Sequence, residues 1–236
     1  MTPLLEARGL SAGYGSLAAV RELDLHVDAG EIVALLGPNG AGKTTTLKTL
    51  AGALPPLGGE VRWKGEPTRA SMQRRARRGL AYVPEERSVF MGLTAAENLR
   101  VGDGPQSKAI ELFPELEIHL KRKAGLLSGG QQQMLSLARA LASAPEVLLA
   151  DELSLGLAPL LVQRLMRAVE AAAASGVGVL LVEQHARAAL SVAQRVYVLQ
   201  RGRVALEGTS AEILDRLDEV EQTYLAGPAL DASATE

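Results

Sequence analysis

The chain has 236 residues, of which 47% are hydrophobic, enough to bury a sizeable core in one domain or in a domain with a smaller lobe. Lysine and arginine number 25 against 27 acidic residues, and the net charge of -2 gives no general reason to expect binding to nucleic acid or anionic lipid. Cysteine is absent, which excludes disulfides and thiolate metal sites. No apolar run approaches the roughly 20 residues of a membrane span, so no spanning helix is expected, and "MTPLLEARGL" lacks a signal-peptide pattern.

The strand-like segments are of two kinds. "LLEARGLSAGYG", "LDLHVDAGE" and "GEVRWKGE" are short, partly alternating and punctuated by turns, as in an antiparallel sheet. "EIVALLG", "PEVLLAD" and "GVGVLLVEQ" are continuous apolar runs that alternate with helical patterns, which is typical of a mostly parallel sheet covered on both faces. We therefore predict two sheet types that share one core.

The segment "GPNGAGKT", Gly37–Thr44, follows an apolar strand and opens a helical run. In this context G-x-x-x-x-G-K-[ST] predicts a P-loop, because its glycines let successive N–H groups converge on phosphate oxygens at a helix N-terminus. Lys43 is expected at the β- and γ-phosphates, and Thr44 at Mg²⁺. The predicted ATP ligands in this region are Gly37, Pro38, Asn39, Gly40, Ala41, Gly42, Lys43, Thr44 and Thr45.

Strand signals disappear between Leu93 and Leu126, where helical patterns take over. "TAAENLRV" begins with a capping-box pattern from Thr94 to Glu97, and "SKAIELFPELEIHLKRK" follows the break "GDGP". We predict a small helical lobe at about residues 93–130, inserted into the P-loop core.

A second glycine turn occurs in "AGLLSGGQQQMLSLARALA", at the start of an amphipathic helix. The helix N-terminus at Ser128, Gly129 and Gly130 offers partial positive charge to an anion. Ser128 and Gln131 also fit the capping box S-x-x-Q, which would make the turn a self-satisfied helix start. Both interpretations stay open, and Ser128 can serve each of them in alternation.

The apolar strand "VLLADE" ends in two acids, Asp151 and Glu152. Successive residues at a strand end point in different directions, so the two acids can have separate roles. With a P-loop upstream, we expect Asp151 to face Mg²⁺ and Glu152 to act as the general base on the attacking water, although acids at this position are also common helix caps.

The end of the chain returns to a simpler pattern. "YVLQRGRVALEG" predicts a hairpin, and a helix is expected near "SAEILDRLDEV". The last segment, "GPALDASATE" at residues 227–236, predicts a disordered tail.

"LSGGQ" at Leu127–Gln131, together with the P-loop and "LLADE", resembles the signature of ATP-binding cassette (ABC) ATPases, from Gly9 to about Ala226. The resemblance implies an α/β fold over residues 1–226: a P-loop NTPase core with a mostly parallel sheet, an antiparallel β subdomain and the helical lobe. In that family two such domains pack head to tail around shared ATP. The signature residues that would serve the partner's nucleotide are Leu127, Ser128, Gly129, Gly130 and Gln131.

Two further positions match the family. Tyr14 in "SAGYGS" matches the aromatic residue that stacks on adenine, and an ordinary turn tyrosine is the alternative. "SLGL", Ser154–Leu157, matches the D-loop that crosses the dimer interface. A simple connector into a helix that starts near Pro159 is the alternative there.

Three positions depart from the family pattern. Glu85 in "YVPEERSVF" replaces a glutamine in the loop that couples ATP to the membrane partner. Glutamate can still ligate Mg²⁺, and its charge should make the coupling between ATP and the membrane partner more dependent on the metal. Leu153 replaces a proline after the catalytic acid, Glu152, which predicts a less preorganised backbone beside that acid without loss of activity. A gapless alignment puts Gln184 at the γ-phosphate switch position, with His185, on the other side of the strand, as the alternative titrating switch.

These motifs together look like the ATPase subunit of bacterial branched-chain amino acid importers, in particular the type that carries "VEQ" at the switch. The resemblance implies ATP hydrolysis with Mg²⁺, at the cytoplasmic face of the inner or plasma membrane. It also implies separate integral membrane permease subunits, a sister ATPase or second copy as dimer partner, and an indirect role for an extracytoplasmic solute-binding protein.

Other functions are kept as alternatives. Related ATPases serve importers of urea or short amides, and the substrate does not touch this subunit. A non-transport ABC ATPase acting on nucleic acid or ribosomes would call for a coiled-coil insertion or a basic patch, whereas "SMQRRARRGL" is only a short basic cluster. We therefore expect no nucleic-acid partner. A regulatory cassette without turnover is disfavoured by Lys43, Asp151 and Glu152.

Overall fold

A computed structural model describes residues 2–86 and 88–220, so the predicted tail at 227–236 lies outside the described residues. The strands are β1 (Leu5–Tyr14), β2 (Leu17–Val27), β3 (Ile32–Leu36), β4 (Gly58–Trp63), β5 (Glu66–Pro67), β6 (Leu80–Val83), β7 (Val147–Asp151), β8 (Gly178–Glu183), β9 (Arg195–Gln200) and β10 (Arg203–Thr209). The α-helices are α1 (Lys43–Ala51), α2 (Met72–Ala76), α3 (Ala95–Val101), α4 (Gln106–Leu112), α5 (Gly129–Ala142), α6 (Pro159–Ala174), α7 (Ala186–Leu190) and α8 (Ser210–Asp215).

The larger sheet has the strand order β10-β9-β3-β8-β7-β6. All neighbouring strands from β9 to β6 are parallel, and β10 joins β9 as an antiparallel hairpin. Every residue of β3, β7 and β8 is buried, as expected for continuous apolar strands covered on both faces. The predicted mostly parallel sheet and the predicted C-terminal hairpin are confirmed.

The smaller sheet has the order β2-β1-β4-β5, and its neighbouring strands are antiparallel. It is built from the short, turn-punctuated segments at the start of the chain, as predicted. The structure thus has the α/β architecture of a P-loop core with an added antiparallel β subdomain.

The two sheets share a core, as predicted, but it is one of two clusters of buried apolar residues, because the other face of the larger sheet has a core of its own. Side chains alternate across a strand, so Ile32 and Leu36 of β3 belong to the cluster that contains residues of α5 and α6. Val33 and Leu35 belong to the other cluster, with residues of the smaller sheet and of α1. Each face of the larger sheet therefore has its own core.

The segment at residues 93–130 holds α3, α4, two 3₁₀ segments (Pro114–His119 and Ala124–Leu126) and the first residues of α5. The capping box of Thr94 and Glu97 at the start of α3 is confirmed. The helical pattern after "GDGP" is interrupted at the fully buried Phe113, because Pro114 has no N–H to continue the α-helix. In the described part of the chain no helix is both long enough and apolar enough to cross a membrane.

Candidate active site

The P-loop connects the end of β3 to the start of α1 and is held against β2. Gly42 caps α1 with a φ of 106°, a left-handed conformation that favours glycine. A Cβ at this position would lie 2.7 Å from the backbone oxygen of Ala19. Only glycine therefore lets the loop pass this close to the smaller sheet while opening α1 toward a phosphate.

Lys43 lies inside the loop, with a side chain that is only 5% exposed. Its Nζ donates hydrogen bonds to the backbone oxygens of Gly37 (2.9 Å) and Pro38 (3.2 Å). The same Nζ lies 3.3 Å from Oε1 of Glu152. The ammonium group of Lys43, at the end of the P-loop, thus binds the start of the loop and also pairs with Glu152, the predicted general base.

Asp151, the last residue of β7, is fully buried. Both carboxylate oxygens lack a hydrogen-bond partner among the described residues. Burial raises the pKa of this carboxyl to about 6, and the nearby Thr44 hydroxyl opposes the rise in pKa without reaching hydrogen-bond geometry. Two buried, unpaired acceptor oxygens require a partner, and a divalent cation is one that suits them.

The donor set around Asp151 fits Mg²⁺ better than an ion that needs an all-protein cage. Residues 2–86 and 88–220 contain no group of three or more His, Asp or Glu side chains arranged to hold a metal. Mg²⁺ usually takes one or two carboxylates and completes its octahedron with water and substrate phosphates. Asp151, the Thr44 hydroxyl and Glu85 are ligands of the required type.

Glu152 follows the strand in a left-handed backbone conformation, with φ of 47°. This conformation is uncommon for a residue with a side chain and is maintained only where the surroundings hold it. Its N–H donates to the backbone oxygen of Val182 at 2.9 Å. The turn breaks the alternation of β7, so that the buried Glu152 side chain forms an ion pair with Lys43, while Asp151 lies near the Thr44 hydroxyl.

One cleft contains residues from several of the predicted motifs. Glu85 and Gln184 meet the P-loop and Glu152 there, although they come from segments that are distant in the sequence. His185 lines a different groove together with Ser154. Tyr14, at the end of β1, is 56% exposed and outside the cleft lining. The full lining consists of Ala19, Asn39, Gly40, Gly42, Lys43, Thr44, Thr45, Glu85, Glu152, Leu155 and Gln184.

Glu183, which is not among the residues predicted from the sequence, is 1% exposed and ends β8 beside the cleft residue Gln184. Its Oε1 accepts from the N–H of Ser154 at 3.0 Å, and its Oε2 accepts from the Ser154 hydroxyl at 2.6 Å. Burial raises the pKa of Glu183 to about 7, the two Ser154 hydrogen bonds lower it, and the charges of Glu152 and Asp151 raise it. The available signal was an acid at the end of an otherwise apolar strand.

The signature turn forms the capping box that the sequence predicts. The Gln131 N–H donates to Ser128 Oγ at 3.3 Å, and the Ser128 N–H donates to Gln131 Oε1 at 2.9 Å. Gln131 Nε2 also lies 2.8 Å from Nε2 of His119, which ends the 3₁₀ segment Pro114–His119. A Cβ on Gly130 would lie 1.8 Å from Cδ2 of Leu161, so a larger residue there would require the Leu161 side chain to move.

The signature does not contribute to the cleft of its own chain. The cleft lining contains none of residues 127–131, and Ser128 is exposed. The start of the 14-residue helix α5 is thus available to a group from outside the chain.

The family model described as ABC transporter matches residues 20–154, more than half of the chain. The chain is 43% identical to the high-affinity branched-chain amino acid transport ATP-binding protein BraG of Pseudomonas aeruginosa, over 92% of this chain and 97% of BraG. It is 37% identical to the lipopolysaccharide export system ATP-binding protein LptB of Acidithiobacillus ferridurans, over 95% of this chain and 98% of LptB.

A solved structure of an ATP-binding subunit of an ABC transporter superposes with a TM-score of 0.82 at 30% identity, covering 94% of this chain and 99% of that one. The matches thus extend over nearly the whole chain, including the P-loop and the acids that end β7. The chain therefore belongs to the ABC transporter family, in which it is an ATP-binding and ATP-hydrolysing subunit.

Proposed function

We propose that the chain powers the import of branched-chain amino acids through separate membrane permease subunits. The observation that carries this proposal is the 43% identity with BraG over nearly the full length of both chains, against 37% with LptB. Gln184, which belongs to the "VEQ" that resembles the branched-chain importer ATPases, lines the cleft and supports the same branch.

ATP is held in this proposal by Tyr14 at the adenine and by Gly37–Thr45 at the phosphates. Lys43 supplies positive charge to the β- and γ-phosphates, and Gln184 contacts the γ-phosphate as the switch residue. Thr44, Asp151 and Glu85 would hold Mg²⁺, which would screen the phosphate charge when bound.

Glu152 is the general base that takes a proton from the attacking water. Its contact with Lys43 supports this role, because the ion pair places the Glu152 carboxylate beside the P-loop that would hold the phosphates. The left-handed turn at Glu152 holds the carboxylate in the cleft instead of in the sheet.

The active form is a head-to-tail dimer with a sister ATPase or a second copy. The exposed signature and its absence from the cleft of its own chain support this arrangement. The Ser128 hydroxyl and the N–H groups of Gly129 and Gly130 then face the partner's γ-phosphate. Hydrolysis removes this contact and reopens the dimer.

The helical lobe at residues 93–130 passes the opening and closing of the dimer to the permease subunits. This places the chain at the cytoplasmic face of the membrane, with a solute-binding protein delivering substrate on the other side. We expect no direct contact between the chain and the transported substrate.

Lipopolysaccharide export is the second candidate, because the identity with LptB extends over 95% of the chain. A nucleic-acid function has less support. Arg75, in the middle of the basic cluster, is buried and donates to the backbone oxygens of Thr49, Leu50 and Ala70. The cluster therefore contributes less exposed positive charge than its sequence indicates.

The test is transport by the assembled complex. The chain is purified with the permeases that bind it, reconstituted in liposomes with ATP and a solute-binding protein, and assayed with labelled leucine, isoleucine and valine. ATP-dependent uptake that disappears in Glu152→Gln supports the proposal. Uptake only of urea or acetamide, or ATPase stimulation only by lipopolysaccharide, would overturn it.

A further inference from the structure

The segment that follows the catalytic acid is tied to the end of β8 at successive points. The N–H of Glu152 donates to the backbone oxygen of Val182, and two residues later Ser154 donates both its N–H and its hydroxyl to Glu183. Leu153, between these two attachments, is fully buried in the core. The turn carrying Glu152 is therefore fixed on both sides.

The contact between Ser154 and Glu183 uses the whole carboxylate. Each oxygen accepts one hydrogen bond, and neither residue is more than 5% exposed. A buried acid with both oxygens occupied has little freedom to turn, so it fixes the position of Ser154. The next residues, Leu155 and Gly156, are exposed and form the tip of the D-loop.

We propose that Glu183 is a positioning residue for hydrolysis, which acts through Ser154 to hold the Glu152 carboxylate and the D-loop tip in their working geometry. The proposal rests on the proposed role of Glu152 as general base. Ser154 follows Glu152 by two residues, so a shift of Ser154 is passed along the backbone to Glu152 through the buried Leu153.

This role also accounts for Leu153, where the family pattern has proline. Proline would restrict the backbone beside Glu152 by its own ring. Leucine does not, so the left-handed conformation of Glu152 depends on tertiary contacts instead. The hydrogen bonds from Ser154 to Glu183 are such contacts, placed immediately after the unrestricted residue.

The alternative is that Glu183 merely satisfies the polar groups of a buried loop and matters only for folding. The two roles differ in kinetics. A positioning residue affects kcat with little change in the KM for ATP, because the P-loop that binds ATP is untouched. A purely structural residue lowers the unfolding temperature and leaves kcat per folded molecule unchanged.

The experiment measures kcat, KM and unfolding temperature of the full chain for Ser154→Ala, Ser154→Thr and Glu183→Gln. We expect about a tenfold loss of kcat in Ser154→Ala, with KM within about twofold of the original value. Ser154→Thr keeps the hydroxyl and should retain most of the activity. Glu183→Gln should lower kcat as well, since the amide has a single acceptor oxygen for the two donors of Ser154.

Thr209→Ala is the matched control, because the Thr209 N–H and hydroxyl also donate to one glutamate, Glu212, but at the start of α8. It should lower the unfolding temperature and leave kcat unchanged. The proposal is overturned if Ser154→Ala and Glu183→Gln behave in the same way as this control, or if Ser154→Thr loses as much activity as Ser154→Ala.

Parallel measurement of Glu152→Gln separates this proposal from the one on which it rests. If Glu152→Gln continues to hydrolyse ATP, the general-base assignment fails and the positioning role fails with it. If Glu152→Gln is inactive while Ser154→Ala and Glu183→Gln keep their full kcat, only the positioning role is contradicted.

Discussion

Lys43 and Glu152 form a buried ion pair, with Nζ 3.3 Å from Oε1. The cation belongs to the P-loop and the acid, the predicted general base, to the segment after β7, so the ion pair joins these two segments. A phosphate bound in the loop would share the ammonium group with Glu152. ATP binding and the position of the Glu152 carboxylate are thereby coupled through the Lys43 side chain.

Lys43→Met should greatly weaken ATP binding, because it removes the cation from the phosphates and leaves Glu152 buried without its partner. Loss of one hydrogen bond between charged groups costs about 1.5–3 kcal/mol, which corresponds to roughly tenfold to a hundredfold in ATP affinity. Titration with a fluorescent ATP analogue measures the effect. Lys48→Met, on the same helix and partly exposed, is the control, and equal affinities of the two variants would contradict the prediction.

Gln184→Ala should lower kcat strongly, whereas His185→Ala should leave it close to the original value. The reason is that Gln184 lines the cleft with Glu152, while His185 lines a separate groove with Ser154. Removing one preorganised polar contact to a reacting group typically costs about 10²–10³ in kcat. A steady-state ATPase assay decides between them, and a large loss confined to His185→Ala would reverse the assignment.

Ser128→Ala should reduce turnover more than its loss of stability explains. The variant loses the cap of α5, which costs about 1 kcal/mol, and also the proposed contact with the partner's γ-phosphate. Thr94→Ala loses an equivalent capping box at α3. Unfolding measurements should give similar costs for both variants, while ATP-induced dimerisation should fail only in Ser128→Ala. Equal dimerisation would assign Ser128 to capping alone.

The free energy of unfolding should contain a pH-dependent contribution from Glu183. Its pKa is raised from 4.5 to about 7 in the folded chain, so the folded state keeps the proton over a range in which the unfolded state releases it. Stability from this group is therefore complete below about pH 4.5 and is lost as the pH rises to about 7. The difference corresponds to at most roughly 3 kcal/mol.

Urea unfolding of the original chain and of Glu183→Gln at pH 5 and pH 8 measures this contribution. Asp151, whose pKa is raised to about 6, changes stability in the same direction in both proteins, so the difference between them isolates Glu183. Identical pH dependence in the two proteins would contradict the prediction.

The parts of the site that the sequence predicts are those fixed by local structure. A P-loop is a short strand–loop–helix unit. Its G-x-x-x-x-G-K-[ST] spacing predicts a glycine at position 42, where the backbone is in the left-handed conformation. Each of the capping boxes at Thr94 and Ser128 joins two residues that are three positions apart, so these boxes too can be predicted from the local sequence.

The parts that the sequence does not predict depend on contacts between distant segments. Ser154 and Glu183 are 29 positions apart, and their meeting requires the pairing of β7 with β8. The packing of Leu161 on Gly130 likewise depends on how α6 lies against α5. The division of the core into two clusters follows from the position of the smaller sheet over one face of the larger sheet, which periodicity alone does not reveal.

The most direct test of the assignment of Glu152 as general base is ATP hydrolysis by Glu152→Gln, with the exposed Glu170→Gln on α6 as control. General-base catalysis contributes about 10²–10⁴ in rate, so we expect at least a hundredfold loss of kcat, retained ATP affinity and an ATP-bound dimer that does not reopen. Glu170→Gln should hydrolyse ATP at the original rate. Hydrolysis by Glu152→Gln close to that rate would contradict the central claim.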